Sequence, residues 1–382
     1  MARNLTSLLA ACITATILWS ATAQAKTEIQ RPEGRRPVDL VIALDVSGSM
    51  SGLIESAKQR LWDIVNEIAQ AQPQPDLRIA ILTYGNPLYG EQSGYVRIDT
   101  PFTRDLDAVM QTLFGFGTNG GDEYVARAVH SAVHELAWSR DPAAMKILFV
   151  AGNEAANQDP QISVIQATQA AAGNGIVVNT LYCGSEGDEI VAGWQNVAML
   201  TNGLFASIDQ NAAAVANVAT PMDEELARLN LQLNETYIAY GAEGDRYKEN
   251  QLKQDENAAG MSMPSVASRV VAKAGELYRN EDWDLVDAQQ SGIAVETLEA
   301  EQLPEPMRSM SGDERKQFVA DLAEKRETIS TEIEELGRQR QDYIAAERAK
   351  LAKDGVSGLD EAIVEGLRDI ARRKGFEFTD KP

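Results

Sequence analysis

Three oxygen-bearing side chains follow an apolar segment near the start of the chain, with the spacing Asp45-x-Ser47-x-Ser49. The segment begins at Val38 and is rich in branched apolar residues, which is typical of a strand buried on both faces of a parallel sheet. Hard divalent cations bind carboxylate and hydroxyl oxygens, and open α/β sheets bind ligands at the carboxyl ends of their strands. The spacing therefore predicts a divalent-cation site where this strand ends and a helix over 51–70 begins.

The other polar or reactive residues favour no competing chemistry. Ser is a common helix N-cap, so Ser47 and Ser49 have a second, purely structural explanation. His130 and His134 are the only histidines, but the residue after His130 is Ser, where a zinc hydrolase motif needs Glu. We expect both to be surface residues and Cys183 to be a small buried one. Because no nucleophile has a recognisable base, we expect a binding protein and not an enzyme.

The elements that position these oxygens alternate between strand and helix from residue 38 to about 220. Strict alternation predicts an α/β fold with a doubly wound, mostly parallel six-stranded sheet and helices on both faces. The third strand follows a loop and no helix, so we expect an antiparallel edge there. The predicted strands are 39–46, 77–84, 95–101, 146–151, 175–183 and 203–208, and the predicted helices are 51–70, 105–113, 122–138, 160–172 and 188–200.

From residue 221 to 382 the sequence predicts a smaller helical region. A seven-residue apolar repeat indicates an amphipathic, coiled-coil type helix that packs on a partner helix or on the first domain. We also expect a last helix over 359–374, linkers at 258–264 and 302–312, and a short docking helix or turn within 278–288. The apolar row consists of Leu322, Ile329, Leu336 and Tyr343, with Phe318 and Ile333 beside it.

The motif Asp45-x-Ser47-x-Ser49, at a strand end within residues 36–220, resembles that of the von Willebrand factor A domain. In that family the three positions belong to the metal-ion-dependent adhesion site, or MIDAS. Thr118 lies in a glycine-rich loop and matches the threonine of the same site. The resemblance implies that these four residues hold Mg²⁺, with Mn²⁺ or Ca²⁺ as alternatives, and that a protein ligand supplies an acidic side chain. Residues 230–288 are also similar to extensions of bacterial exported proteins of this type.

One position departs from the family pattern. Family members commonly end the fourth strand with Thr-Asp-Gly, whereas this chain has Gly152 in place of the aspartate. The candidates for supplementary or outer ligands are Asp122, Asn153 and Glu154. Because carboxylate count is a main determinant of cation affinity, the loss of this aspartate lowers the affinity that we expect.

The first 25 residues have the features of a secretory signal peptide, with Arg3, an apolar stretch and a small-x-small site that ends at Ala25. We expect cleavage after Ala25, a polar lead-in over 26–37, and a periplasmic or secreted protein. A lipoprotein-type box that ends at Cys12 is the weaker alternative. After cleavage Cys183 is the only cysteine, so no disulfide within the chain is expected.

The chain is acidic, with 57 Asp and Glu against 35 Lys and Arg and a formal net charge of −22. This balance disfavours nucleic acid and anionic membrane surfaces as partners. No other apolar run suggests a membrane span. The expected function is cation-dependent recognition of a protein ligand, and the alternative is a metal-independent scaffold of the cell envelope that uses the acidic helices. The sequence does not indicate an oligomeric state.

Overall fold

The computed structural model describes residues 34–207, 218–352 and 359–378, so the predicted signal peptide lies outside the described residues. A six-stranded sheet with the order β4-β3-β1-β5-β6-β7 forms its centre, and a second sheet pairs β2 with β8. In the six-stranded sheet β4 is antiparallel to β3 and the other pairs are parallel. The strands are β1 (Arg36–Asp45), β2 (Ala71–Gln72), β3 (Pro75–Tyr84), β4 (Val96–Thr103), β5 (Met145–Gly152), β6 (Val177–Tyr182), β7 (Phe205–Ser207) and β8 (Glu377–Phe378).

The predicted doubly wound, mostly parallel sheet with an antiparallel edge is confirmed. Strand β1 lies between β3 and β5 and is buried along almost its whole length, which explains why its sequence is apolar without alternation. Its even-numbered residues, such as Leu40 and Ile42, face one hydrophobic cluster. Its odd-numbered residues, such as Val41 and Ala43, face another. Two buried faces require helices on both sides of the sheet.

Five helices cover these two faces. Helices α1 and α2 pack on the even-numbered face of β1, and α3, α4 and α5 pack on the odd-numbered face. The helix predicted over 122–138 begins three residues later and ends three residues earlier than expected, and this shift matters for the site below. The helices are α1 (Ser51–Ala69), α2 (Leu106–Phe114), α3 (Val125–Glu135), α4 (Val164–Gly173) and α5 (Val191–Met199).

The C-terminal helices extend the core on the side of α1 and α2. Leu229 and Val270 belong to the same hydrophobic cluster as Leu40 of β1. The predicted linker over 258–264 is instead a junction of two helices at Ser262, whose Oγ accepts the Ser265 N–H at 3.2 Å. None of the described helices combines the length and apolarity of a bilayer span. These helices are α6 (Asp223–Asn234), α7 (Gly244–Met261), α8 (Met263–Ala274), α9 (Leu285–Gln290), α10 (Gly312–Ala352) and α11 (Leu359–Arg373).

Helix α10 packs on α6, α8 and α9 with a register that differs from the predicted apolar row. Val319 is fully buried, while its neighbour Phe318 is 37% exposed and Tyr343 is 36% exposed. The buried stripe also contains Arg326 and Arg340. Placing Phe318 and Tyr343 in the buried row was therefore wrong, because two arginines with buried partners occupy part of the stripe.

Candidate metal centre

The carboxyl ends of β1, β3 and β5 meet at one edge of the sheet. In the β1–β3 ladder Asp45 is paired with Tyr84, and in the β1–β5 ladder Leu44 is paired with Ala151. The register therefore brings Asp45, the end of β3 and Gly152 to the same level. This edge is where open α/β sheets bind ligands.

Asp45 and Ser47 form the floor of the candidate centre. The Asp45 side chain is completely buried, and its Oδ1 accepts the Ser47 N–H at 2.7 Å. The Ser47 and Ser49 hydroxyl oxygens are 3.5 Å apart, and Ser49 is exposed. Helix α1 has Met50 as its N-cap residue, with no side-chain cap. The structural explanation of the two serines as helix caps is therefore wrong, because neither hydroxyl caps α1.

The glycine-rich loop that carries Thr118 lies against this floor. The Asn119 N–H donates to the Val46 carbonyl at 2.9 Å, and the Asn119 side chain donates to Asn86 Oδ1 at 3.3 Å. A Cβ on Gly48 would lie 3.9 Å from the Gly120 backbone. Thr118 itself is exposed. The fold thus brings the loop of Thr118 to the Asp45–Ser49 segment.

Tyr84 fills the place of the missing family aspartate. Its phenol is fully buried and donates a hydrogen bond to the Ala151 carbonyl at 2.9 Å. A Cβ built on Gly152 would overlap the Tyr84 hydroxyl and would lie 3.1 Å from Asp45 Oδ2. Position 152 therefore has no room for any side chain while Tyr84 keeps this rotamer. The space that an aspartate side chain at position 152 would need is thus occupied by the Tyr84 hydroxyl.

Glu123 is the site residue that sequence reasoning missed. It lies in the two residues before α3, and only 8% of it is exposed. Its side chain is in hydrogen-bonding reach of both Asp45 and Ser47. Gly85, with a φ of +84°, makes room for it, because a Cβ there would lie 2.7 Å from Asp45 Oδ1 and 3.1 Å from Glu123 Cγ. Because the helix was expected to begin at residue 122, Glu123 was placed inside it and was not considered as a ligand.

Two buried carboxyl groups with no ion-pair partner among the described residues, Asp45 and Glu123, perturb each other. Burial is the largest cause that raises the pKa of Asp45 above its usual value. Burial, followed by the hydrogen bond and the charge of Asp45, raises the pKa of Glu123 to about 9. One oxygen of each group, Asp45 Oδ2 and Glu123 Oε2, is buried without a hydrogen-bond partner among the described residues. In the cation-free protein this pair therefore holds a proton at neutral pH.

The three supplementary candidates occupy different places. Asn153 lies at the centre, where its Nδ2 donates to Ser49 Oγ at 3.0 Å and its Oδ1 is buried without a partner among the described residues. Asp122 is exposed and interacts with the Tyr95 phenol. Glu154 is exposed, and its Oε2 accepts the Gln158 amide at 2.8 Å. The structure thus brings Asn153 to the centre and turns Asp122 and Glu154 to other partners.

The oxygens at this edge suit a hard divalent cation. They comprise two carboxylates, serine and threonine hydroxyls and one amide oxygen, the donor types that Mg²⁺, Mn²⁺ and Ca²⁺ accept. Within the described ranges, no three His, Cys, Asp or Glu side chains lie together closely enough to hold a metal ion. A cation here would therefore depend on hydroxyl and amide oxygens as well as on carboxylates.

The other reactive residues are the two histidines of α3 and Cys183, whose N–H donates to the Gly152 carbonyl at 2.8 Å. His130 and His134 stack on α3 with ring centroids 4.3 Å apart, His130 half-buried and His134 exposed. Burial, followed by the His134 charge, lowers the pKa of His130. Cys183 is buried, as expected, and burial raises the pKa of its thiol to about 12. A thiol with such a pKa is a poor nucleophile at neutral pH.

A doubly wound sheet with polar oxygens at the carboxyl ends of its strands defines an open α/β domain. Residues 39–198 match the family model of the von Willebrand factor type A domain. No curated protein matches the chain.

Several solved structures are similar to this chain. A von Willebrand factor type A protein from Catenulispora acidiphila is 17% identical with a TM-score of 0.35, and the match covers 46% of this chain and 39% of that one. The SpRpn10 VWA domain is 12% identical with a TM-score of 0.36, over 46% and 89% of the two chains. Proximal thread matrix protein 1 from the mussel byssus, with a zinc-occupied MIDAS motif, is 13% identical with a TM-score of 0.38, over 47% and 43%. The chain therefore spans about two fifths of the first and third proteins.

Proposed function

We propose that this protein is an exported module that recognises a protein ligand through a divalent cation at the sheet edge. The observation that carries the proposal is the Asp45 carboxylate, which is completely buried and whose Oδ2 has no hydrogen-bond partner among the described residues. Asp45, Ser47, Ser49 and Thr118 are the proposed ligands. Mg²⁺ is the proposed ion, with Mn²⁺ or Ca²⁺ as alternatives.

The ligand chemistry follows from the donor set. Of the four proposed ligands only Asp45 is charged, because the hydroxyl oxygens of Ser47, Ser49 and Thr118 carry no net charge, so one of the two positive charges of the cation stays uncompensated. A cation held in this way keeps water molecules that an incoming oxygen ligand can displace. A carboxylate of another protein is the ligand with the strongest attraction for such an ion. The proposed partner is therefore a protein that presents Asp or Glu on its surface.

The charge of the whole chain makes the cation essential to this recognition. With a formal net charge of −22, the protein repels an acidic partner at long range. A bound divalent cation supplies positive charge at the one place where contact occurs. We therefore expect capture of the partner to require the cation and to fall when a chelator removes it.

The proposed location rests on the sequence of the first 25 residues. A signal peptide that is cleaved after Ala25 would deliver the chain to the periplasm or to the exterior. The partner is then a protein of the envelope or of the surroundings.

The test is capture of a partner from an envelope extract by the immobilised mature chain, with Mg²⁺ present or with EDTA. We expect specific capture in Mg²⁺, none in EDTA and none by Asp45→Ala in either buffer. The melting temperature of Asp45→Ala in EDTA serves as the folding control. Capture that is equal in all four conditions would remove the cation from the function.

A metal-independent envelope scaffold is the second candidate, and Tyr84 is the observation that favours it. The Tyr84 hydroxyl closes the position beside Gly152 at which the family carries an acidic ligand. In that case partners would bind the acidic helices, of which α10 is the longest. Capture that resists EDTA and is lost when residues 312–352 are replaced by an unrelated helix of equal length would identify this function.

A further inference from the structure

We propose that Glu123 supplies the second carboxylate of the cation centre, in place of the aspartate that the family carries at the position of Gly152. This inference rests on the proposed function, because it concerns a ligand of the same centre. Glu123 lies outside the family motif and next to Asp122, the residue that the sequence made a candidate. Its assignment comes from where the fold places its side chain.

The first argument is that two carboxyl groups, those of Asp45 and Glu123, are buried close together. Asp45 is completely buried and Glu123 is 8% exposed, and one oxygen of each lacks a hydrogen-bond partner among the described residues. Burial of an unpaired charge costs several kcal/mol, and the two groups also repel each other when both are ionised. A divalent cation between them would remove both costs at once.

The second argument is a complementary pair of glycines on either side of Asp45. On the β3 side, Gly85 leaves the space that Glu123 Cγ uses, since a Cβ there would lie 3.1 Å from that carbon. On the β5 side, Gly152 leaves the space that the Tyr84 hydroxyl uses. In this chain the second acidic side chain thus lies in the segment before α3, whereas the family carries it at the end of the strand that corresponds to β5. The number of carboxylates at the centre is kept.

The third argument is that the rival acidic side chains have other partners. Asp122 is exposed and interacts with Tyr95. Glu154 is exposed and binds Gln158 at 2.8 Å. Neither has the burial of Glu123, so neither would gain as much from a cation. Glu154 is therefore a matched control, because it is the same residue type close to the same centre.

The inference changes what is expected of the ion. With Asp45 alone, the cation would be held weakly until a partner added a second carboxylate. With Asp45 and Glu123 together, two carboxylates of the chain hold the ion, so the ion is resident before any partner arrives. The partner then exchanges with water on an ion that is already bound.

The test is titration calorimetry of Mn²⁺, Mg²⁺ and Ca²⁺ into the chelator-stripped mature chain and into the variants Glu123→Gln and Glu154→Gln. We expect wild type to bind one ion, Glu154→Gln to bind it equally, and Glu123→Gln to bind it about 10-fold more weakly or worse. Melting in EDTA checks folding, and there Glu123→Gln should be at least as stable as wild type.

The outcomes separate the two proposals. Equal affinity of Glu123→Gln and wild type overturns the role of Glu123 and leaves the cation-dependent function standing. Absence of cation binding by wild type overturns both. Loss of affinity in Glu154→Gln but not in Glu123→Gln would make Glu154 the second carboxylate ligand and overturn the inference.

Discussion

Two regions of the molecule each bury a pair of carboxylates, and they do so with opposite electrostatics. Between α2, α7 and α8, Asp107 and Asp255 surround Arg269, whose guanidinium binds them at 2.6 and 2.5 Å. Lys273 adds a contact to Asp255 at 2.9 Å. At the end of β1, Asp45 and Glu123 are buried together, and one oxygen of each has no hydrogen-bond partner among the described residues.

The pKa values show what the difference means. Burial alone would raise the pKa of Asp255, but the charges of Lys273 and Arg269 outweigh it and hold the pKa well below the usual value. At the sheet edge burial and Asp45 act together, and the pKa of Glu123 rises to about 9. The first region is neutralised by the chain and holds the helices on the sheet domain. We propose that the second region binds a cation from outside.

The largest expected effect is at the neutralised region. Asp255→Asn leaves the buried Arg269 and Lys273 with one carboxylate fewer, so we expect a loss of about 3–5 kcal/mol in the free energy of unfolding. Urea denaturation measures it. Glu256→Gln is the matched control, because its pair with Lys253 is exposed, and it should change stability by less than about 0.5 kcal/mol. Equal effects of the two substitutions would contradict a structural role for the buried network.

The same region predicts an acid dependence. The pKa of Asp255 is lower in the folded than in the unfolded chain, so its contribution is complete above the unfolded value of about 4. As the pH falls below that value, the unfolded chain binds the proton first and this stability is lost. Unfolding midpoints between pH 5 and pH 2 should therefore fall more steeply for wild type than for Asp255→Asn. Parallel curves would show that this carboxylate is not responsible.

At the cation centre, a methyl group on Gly152 tests the exchange with Tyr84. Gly152→Ala should lower stability by about 1–3 kcal/mol, because the new Cβ overlaps the Tyr84 hydroxyl. The cost should shrink when Tyr84→Phe removes the hydroxyl, and a double-mutant cycle measures this coupling. Gly117→Ala, where a Cβ meets open space, is the control. A cost that is the same with Tyr or Phe at position 84 would refute the overlap.

The smallest expected effect, that of Glu123→Gln on stability, has the opposite sign to that of Asp255→Asn. In EDTA, Glu123→Gln replaces a buried acid that lacks a cationic partner with a neutral group of the same shape, so stability should stay equal or rise by about 1 kcal/mol. Thermal unfolding in EDTA measures it beside Glu154→Gln. A clear loss of stability would mean that Glu123 is already neutralised by the chain, as Asp255 is.

Most of the fold is predictable because local and global signals agree. The branched apolar run of β1 and the loop before β4 predicted the central strand and the antiparallel edge, and both are confirmed. The register of α10 was less accessible. Arg326 binds Asp284 at 2.7 Å and Arg340 binds Asp223 at 2.9 Å, so polar residues take core positions that hydrophobic periodicity cannot reveal.

The site was predicted in part for a similar reason. The spacing of Asp45, Ser47 and Ser49 is local, so the sequence alone indicates that they lie together, and the assignment of these residues and Thr118 as ligands stays a prediction. Glu123 is separated from them along the chain. Because α3 begins at Val125, Glu123 lies in the segment before the helix, where its side chain reaches the site. The candidate Asp122 was adjacent in sequence but faces Tyr95. A difference of three residues in one helix start decided which carboxylate is buried.

The most direct test of the central claim is diffraction from crystals of the mature chain grown with Mn²⁺, with data collected for the anomalous signal of manganese. The account predicts one peak at the sheet edge. The peak should lie within bonding distance of a Glu123 oxygen and of an oxygen of Asp45, Ser47 or Ser49. A map without a peak at this edge, from crystals in which the edge is open to solvent, would contradict the claim that this VWA domain binds a cation there.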